Sequence, residues 1–351
     1  MINIPAIQAR PLFTQMTIAV YRERMAPSKF LRSFFINDET VTKLISIEVQ
    51  RGFENVAVDV YRNSEGNRNT FGKSTQKTFE PPYYDEFLEL TSLDLYEMLF
   101  LSPSVTDEVF AAFVSMVADK MIIITDKIER AYELQCSQVL IDGIVQLKSG
   151  DNINYLRKAA SLVDVGAGAY WDGATVDPNT VLETGCRFLR EVGKSSGGVV
   201  NAIFGSAALS ALQNNTIVKG RQAYIKDFAF DRLTPSQRDS TGGSFHGEIS
   251  VGAYNVRVWT YPEVYNHPTT GVITDYIDRK KIVMIPEKPN FKLSFAAVPQ
   301  LVDEGTMPKK GAYLVQEFKD PRKASHVVDI RSAGLAVPVA VDQIFTAKVL
   351  A

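Results

Sequence analysis

From Asp107 to Asp142 the chain contains neither proline nor glycine. Along it, apolar residues return at helical spacing through Phe110, Phe113, Val114, Val117, Met121, Ile124, Ile128, Tyr132, Cys136, Val139, Leu140 and on to Ile144. Pro103 stops the segment before it, Ser104-Val105-Thr106-Asp107 has the spacing of a capping box, and Asp126 and Arg130 form an i,i+4 pair. The pattern predicts one helix from Asp107 to Leu147, ended by Gly150, with Gly143 or the run Ile122-Ile123-Ile124-Thr125 as the places where it could break. Roughly 40 residues at about 1.5 Å each make a rod on the order of 60 Å. An elongated body is expected around such a rod.

What precedes the helix cannot be stable alone. Residues 1–45 mix Pro5, Pro11 and Pro27 with Arg10, Arg22, Arg24, Lys29 and Arg32 and keep no period of 2 or 3.6, which reads as an extended arm. Phe13, Tyr21, Phe30, Phe34 and Phe35 are too many apolar side chains for a solvated tail, so the arm must lie on its own body or on a neighbour. Ile45, Ile47 and Val49, then Val56, Val58 and Val60, alternate with polar residues as strands do. The polar tip Asn63 to Asn69 and a second polar strand, Thr70 to Phe79, complete a long hairpin that ends at Pro81-Pro82. A two-stranded ribbon is marginal in water, so this hairpin needs a partner surface.

After a short helix opened by Thr91, and after the long one, the signals are mixed. They predict a strand from Tyr155 to Val165, a helix from Asn179 to Val192 capped by Asp177-Pro178, a strand from Val199 to Phe204 and a helix from Ser206 to Asn214. Phe230 to Gly247 reads as an exposed loop, Ile249 to Tyr261 and Lys281 to Ile285 as strands. Ser325 to Ile330 and Leu335 to Val341 read as strands too, with Pro338 marking an edge or bulge, before a last apolar segment from Ile344 to Leu350.

Composition removes several classes of function. With 38 Lys+Arg against 40 Asp+Glu the net charge is −2, which argues against gripping nucleic acid through a basic face. Cys136 and Cys186 show no CxxC spacing and read as idle thiols. The N-terminal stretch has no secretory pattern, and Asp119 and Lys120 interrupt Val109 to Ile124 as a membrane span. Gly72-Lys73-Ser74 and Gly193-Lys194-Ser195 lack the earlier glycine of a phosphate loop, Asn67 and Phe188 standing in its place. His246, His267 and His326 have no metal-ligand spacing, and no GxSxG is present. Asp85, Glu86 and Glu89, interleaved with Phe87 and Leu88, read as the exposed face of a strand. What is left is an apolar arm without a core and a polar hairpin without a second layer, the marks of an assembly protein.

The order of features resembles the lambda-like major capsid proteins of tailed phages, the capsid protein E family. The resemblance rests on Ile47-Glu48-Val49-Gln50-Arg51-Gly52 and Thr78-Phe79-Glu80-Pro81-Pro82-Tyr83, which look like the family's hairpin entry and exit. It rests also on Asp126 to Glu133, Leu140 to Gly143, Val163 to Gly166 before Trp171, Phe204-Gly205-Ser206, Gly252 to Tyr265, Ile285-Pro286 and Asp320-Pro321 through Pro338. The resemblance implies an α+β chain of the Hong Kong 97-type capsid fold. Its parts would be an N-terminal arm (1–45), an extended β-hairpin loop (46–90), a peripheral domain with a long spine helix (91–165), an axial domain (166–311) and return strands of the peripheral domain (312–351).

It further implies a virion shell of hexamers and pentamers around packaged DNA, assembled in the bacterial cytoplasm. It calls for a portal at one vertex, a separate scaffolding protein and room for a decoration protein, and for no membrane, cofactor, metal or catalytic residue. Contacts between subunits are expected from Arg62, Arg68, Lys73 and Lys77 on the hairpin, from Asp85, Glu86 and Glu89 beside it, and from Phe30, Phe34 and Phe35 on the arm. Lys73 and Lys77 read as solvated charges rather than cross-linking lysines. Two other readings stay open on the residues alone: a tail-tube subunit or similar ring-forming virion protein, and an α/β enzyme whose site is assembled from distant positions.

Overall fold

The computed structural model describes residues 30–49, 75–91, 107–147, 152–173, 175–195, 198–224, 237–238, 241–268, 270–302, 305–320 and 325–351. In chain order the elements are β1 (Ile36–Glu39), β2 (Ile45–Val49), β3 (Thr75–Phe79), β4 (Tyr84–Thr91), α1 (Asp107–Ile141), β5 (Ile144–Gln146), β6 (Asn152–Asn154) and β7 (Leu162–Asp164). Then come α2 (Pro178–Glu191), β8 (Val199–Phe204), α3 (Ser206–Asn214), α4 (Thr216–Tyr224), β9 (Gln237–Arg238), β10 (Ser244–Val251), β11 (Tyr254–Thr260), β12 (Val264–Asn266) and β13 (Ile273–Asp275). The chain closes with β14 (Lys281–Pro286), β15 (Phe291–Phe295), β16 (Val298–Val302), β17 (Gly305–Lys309), β18 (Leu314–Asp320), β19 (Ser325–Ser332), β20 (Gly334–Pro338) and β21 (Phe345–Lys348).

A mixed seven-stranded sheet, ordered β7-β21-β14-β8-β11-β10-β9, is covered on both faces. Its alternation sorts side chains between two cores. Val200, Ala202, Phe204, Ile282, Met284, Phe345 and Ala347 face Leu182, Cys186 and Leu189 of α2 and Ala208 and Leu212 of α3. Ile203, Val283, Ile285 and Ile344 belong to the other core, shared with Cys136, Val139 and Leu140 of α1 and with Phe291, Leu293, Phe295, Leu335 and Val337 of the sheet β1-β15-β20. The C-terminal end of α1 is therefore enclosed between two sheets. Its polar side chains bond backbone groups around it: Gln135 accepts from Ala336 N at 3.1 Å and donates to Gly334 O at 3.3 Å, closing the outer edge of β20, while Ser137 Oγ donates to Tyr276 O, just after β13.

The helix has 35 residues, about 52 Å at the usual rise, and runs unbroken through Ile122 to Thr125. It ends at Ile141 rather than near Gly150, because Gly143 takes φ +71° and its N–H returns to the carbonyls of Gln138 and Val139. β5 and β6 then pair antiparallel, from Ile144↔Asn154 to Gln146↔Asn152. The strand expected from Tyr155 to Val165 shrinks to β7: Leu156 turns left-handed at φ +53° and Ala159–Ser161 make a 3₁₀ turn. Ile249 to Tyr261 is not one strand but most of the hairpin β10–β11, turned at Gly252 with φ +58°. The expected loop Phe230 to Gly247 gives up Ser244–Gly247 to β10, and the strand expected from Leu335 to Val341 stops at Pro338. Thr91 ends β4, and the rest of the short helix expected there lies outside the described residues, as does the hairpin tip.

Candidate functional site

The end of the arm is clamped into the body. Phe30 is 2 % exposed, with ring centroids 5.2 Å from Phe34 and Trp259 and 5.6 Å from Tyr261. Phe35 lies 5.2 Å from Phe291, and Phe34 is partly buried beside the same core. Between them, Leu31 N and Arg32 N donate to the two oxygens of Glu133 at 3.0 and 3.2 Å, and the Arg32 guanidinium and Tyr313 hydroxyl both bond Glu129. Both glutamates are fully buried on α1. Of the two supports open to the arm, Phe30 and Phe35 use the chain's own body, which leaves neither a surface to offer a neighbour.

Ten residues beyond Phe35 the hairpin starts. β2 and β3 pair antiparallel from Ile45↔Phe79 to Val49↔Thr75, which sets Lys77 opposite Ile47, and among the described residues they join no third strand. Their root is fixed: Ile45 is 3 % exposed and the Phe79 ring packs 5.7 Å from that of Tyr155. Lys43 and Glu80 pair at 2.8 Å across it in the open. Arg62, Arg68 and Lys73 lie outside the described residues.

Strand β4 forms the edge of the sheet β18-β19-β4, and its alternation divides the expected acidic face: Asp85 and Glu89 share a face with exposed Phe87, whereas Glu86 lies on the other face with Tyr84 and Leu88, toward α1. Asp85 pairs with Arg331 at 3.4 Å, Glu86 with Lys127 of α1 at 2.6 Å, and Glu89 accepts from Ser325 Oγ at 2.9 Å. All three thus have partners inside the chain. Beside them Phe87 is 63 % exposed and Tyr83 is half exposed, its hydroxyl held above the usual range by burial of its inner side. Asp329, opposite Phe87, is almost fully buried against Arg331, and burial raises its carboxyl.

The residues weighed for chemistry fall into structural places. Gly193-Lys194-Ser195 follows the C-terminus of α2, where Ser195 N and Oγ donate to Leu189 O, so it does not open a helix as a phosphate loop must. His246 Nε2 meets Thr260 Oγ1 at 2.7 Å, and burial lowers its pKa. Cys136 and Cys186 are buried, which pushes the Cys186 thiol up to about 12. Among the described residues no group of His, Cys, Asp or Glu is placed to hold a metal ion, and no helix is long and apolar enough to cross a membrane.

One structural residue escaped the sequence altogether. Arg157 is partly buried and makes no carboxylate bond: its guanidinium donates to Leu140 O and Ile141 O at 3.0 Å, Ser161 O at 2.9 Å, and Ile344 O and Thr346 Oγ1 at 3.1 Å. It joins the last carbonyls of α1, where the helix dipole favours a cation, to β21 of the central sheet. Burial lowers its pKa to about 10, so it stays charged at neutral pH. No spacing signals such a residue, since its acceptors are backbone carbonyls from distant segments.

No curated protein sequence matches the chain. Among solved structures it resembles a protein assigned as a prophage capsid protein of Escherichia coli CFT073, with 14% identity, 96% of this chain and 98% of that one covered, and a TM-score of 0.64. A phage-related protein of Bordetella bronchiseptica RB50 follows at 11% identity, with 94% and 95% covered and a TM-score of 0.50. These likenesses establish the α+β Hong Kong 97-type fold. The profile described as phage major capsid protein E matches residues 13–349. The chain therefore belongs to the phage major capsid protein E family, whose members are structural proteins of the virion shell and not enzymes.

Proposed function

We propose that copies of this chain assemble as pentamers and hexamers into a closed icosahedral shell around packaged DNA, with the hairpin of each copy laid across the body of the next. The observation that carries this reading is the hairpin's root. Ile45 and Phe79 bury it in the core, yet the polar ribbon they anchor pairs with no third strand among the described residues. A ribbon of that kind is marginal unless it rests on another surface. The outer face of β4 offers one, with Phe87 open and with the Asp85–Arg331 ion pair, whose partners can be exchanged at a cost of about 0–1 kcal/mol. Arg62, Arg68, Lys73 and Lys77 supply the complementary charge.

In this reading residues 166–311 form the axial part, with the segment Phe230 to Gly247 near the capsomer axes, and 46–90 the extended loop. A scaffolding protein, a portal and a decoration protein are the partners that the family resemblance implies. Replacing residues 51–73 by a two-residue Asn-Gly turn tests the hairpin's role. The expected product is a folded subunit that melts within a few degrees of the parent and closes no shells. Normal particles from this variant would overturn the assignment.

A further inference from the structure

The arm end meets the body through charge as well as through rings. Glu129 and Glu133 lie one turn apart on α1, both fully buried. Each of their four oxygens accepts a bond from outside the helix. Glu133 Oε1 takes Leu31 N at 3.0 Å and Glu133 Oε2 takes Arg32 N at 3.2 Å, while the Arg32 guanidinium bonds Glu129 Oε2 and the Tyr313 hydroxyl bonds Glu129 Oε1. An ionised carboxyl accepts on both oxygens, whereas a protonated one must donate from one of them. The Tyr313 hydroxyl can turn to receive such a proton. The two backbone N–H groups on Glu133 cannot, so protonating Glu133 sets an O–H against an N–H aimed at it.

The surroundings do not relieve that conflict. Among the described residues the pair is flanked by Arg32 of the arm, Tyr84 of β4, Tyr313 ahead of β18, Tyr261 after β11, Glu263 ahead of β12, Tyr276 after β13, and Arg130, Tyr132 and Cys136 of α1. Burial holds the hydroxyls of Tyr84, Tyr132, Tyr261 and Tyr276 and the thiol of Cys136 above their usual ranges. In acid these groups stay neutral, and of this set only Glu263 titrates beside the pair. Beyond the clamp, β1 pairs with β15 from Ile36↔Lys292 to Glu39↔Phe295, so residues 30–35 can leave their seat while the chain stays tied to the body. We infer that residues 30–35 are a proton-released strap: fastened while Glu133 is ionised, and freed, with the socket of Trp259, Tyr261 and Phe291 uncovered, once Glu133 takes up a proton. Glu129, bonded to the same arginine, reinforces the fastened state. The strap's contribution is therefore present at neutral pH and lost as pH falls. The device belongs to the single chain and does not depend on the shell reading.

Hydrogen–deuterium exchange of the full chain across pH, corrected for intrinsic exchange rates, tests this. The peptide holding Leu31 and Arg32 should be protected at neutral pH and lose about tenfold of its protection by about pH 4.5, while the peptides of β8 and β14 keep theirs. Glu133→Gln puts an amide donor where the carboxylate accepts, so its strap should exchange freely already at neutral pH and no longer follow pH. Glu263→Gln should keep the parent's profile. A strap that holds its protection until β8 and β14 lose theirs overturns the inference, as does a Glu133→Gln chain with the parent's profile. An acid-driven release that Glu263→Gln abolishes assigns the proton elsewhere and overturns it too. Should Glu133→Gln fail to fold, the parent and Glu263→Gln profiles decide the matter alone.

Discussion

The joint at the C-terminal end of α1 and the outer sheet β18-β19-β4 handle polar groups in opposite ways. At the joint, Arg157, Gln135, Glu133 and Ser137 are spent on backbone N–H and C=O groups of other segments, out of water. On the outer sheet and the hairpin root, charges meet charges in the open, as in Lys127–Glu86, Lys43–Glu80 and Arg331–Asp85. The first kind of bond is costly to break because its partners are left buried and unsatisfied, whereas the second is nearly free to exchange. A subunit built this way keeps a fixed centre while its periphery can trade partners.

Five substitutions probe that contrast, from the largest expected effect to the smallest. Arg157→Leu strands several buried carbonyls and should lower unfolding free energy by at least about 3 kcal/mol in denaturant titration. Arg32→Met leaves the Glu129 carboxylate buried without its cation and should cost about 3 kcal/mol, with new proteolytic cuts ahead of Ile36. Lys127→Ala on the outer sheet should change stability by no more than about 1 kcal/mol. An Arg157→Leu protein as stable as Lys127→Ala would erase the distinction between the two regions.

The fourth has the opposite sign. Burial raises the Asp329 carboxyl, so its charged form weakens the fold above that raised pKa, and the penalty is relieved as pH falls through it. Asp329→Asn should therefore be slightly more stable than the parent at neutral pH, the gain fading in acid. Asp164 runs the other way. The Gly166 N–H, then Lys348 and Tyr170, hold its carboxyl low, so its contribution is present above the ordinary carboxylate range and lost as pH falls through its lowered pKa. Thermal melts of Asp329→Asn and Asp164→Asn across pH should diverge in opposite directions from the parent.

Local chemistry made much of the fold legible. Asp177 caps α2 through Asn179 N at 3.1 Å, Pro178 opens it, and β8 and α3 fall at the expected residues, because each is bounded by its own cap, turn or apolar run. The strands of the hairpin root were visible for the same reason, whereas the acidic cluster of β4 is divided between its two faces, Glu86 turning to α1. The misses have separate causes, and the break at Gly143 is one of the two that the helical pattern allowed. α1 stops where Gly143 meets Arg157, and a β-carbon at that glycine would lie 2.4 Å from the arginine side chain. The break in Tyr155 to Val165 comes from Leu156, whose residue type argues against the conformation it holds. α4 was missed because it follows α3 directly, with Asn215 Oδ1 accepting from Ile217 N at 2.9 Å and Gly220 in its middle. Phe30 and Phe35 looked like contacts for a neighbour because their receiving residues, Trp259, Tyr261 and Phe291, lie more than two hundred residues away.

The most direct measurement is negative-stain electron microscopy of the purified chain, expressed alone and with candidate scaffolding proteins. The account predicts closed shells, or rings of five and six subunits. Uniform monomers under every condition, or open tubes of stacked rings, would contradict it.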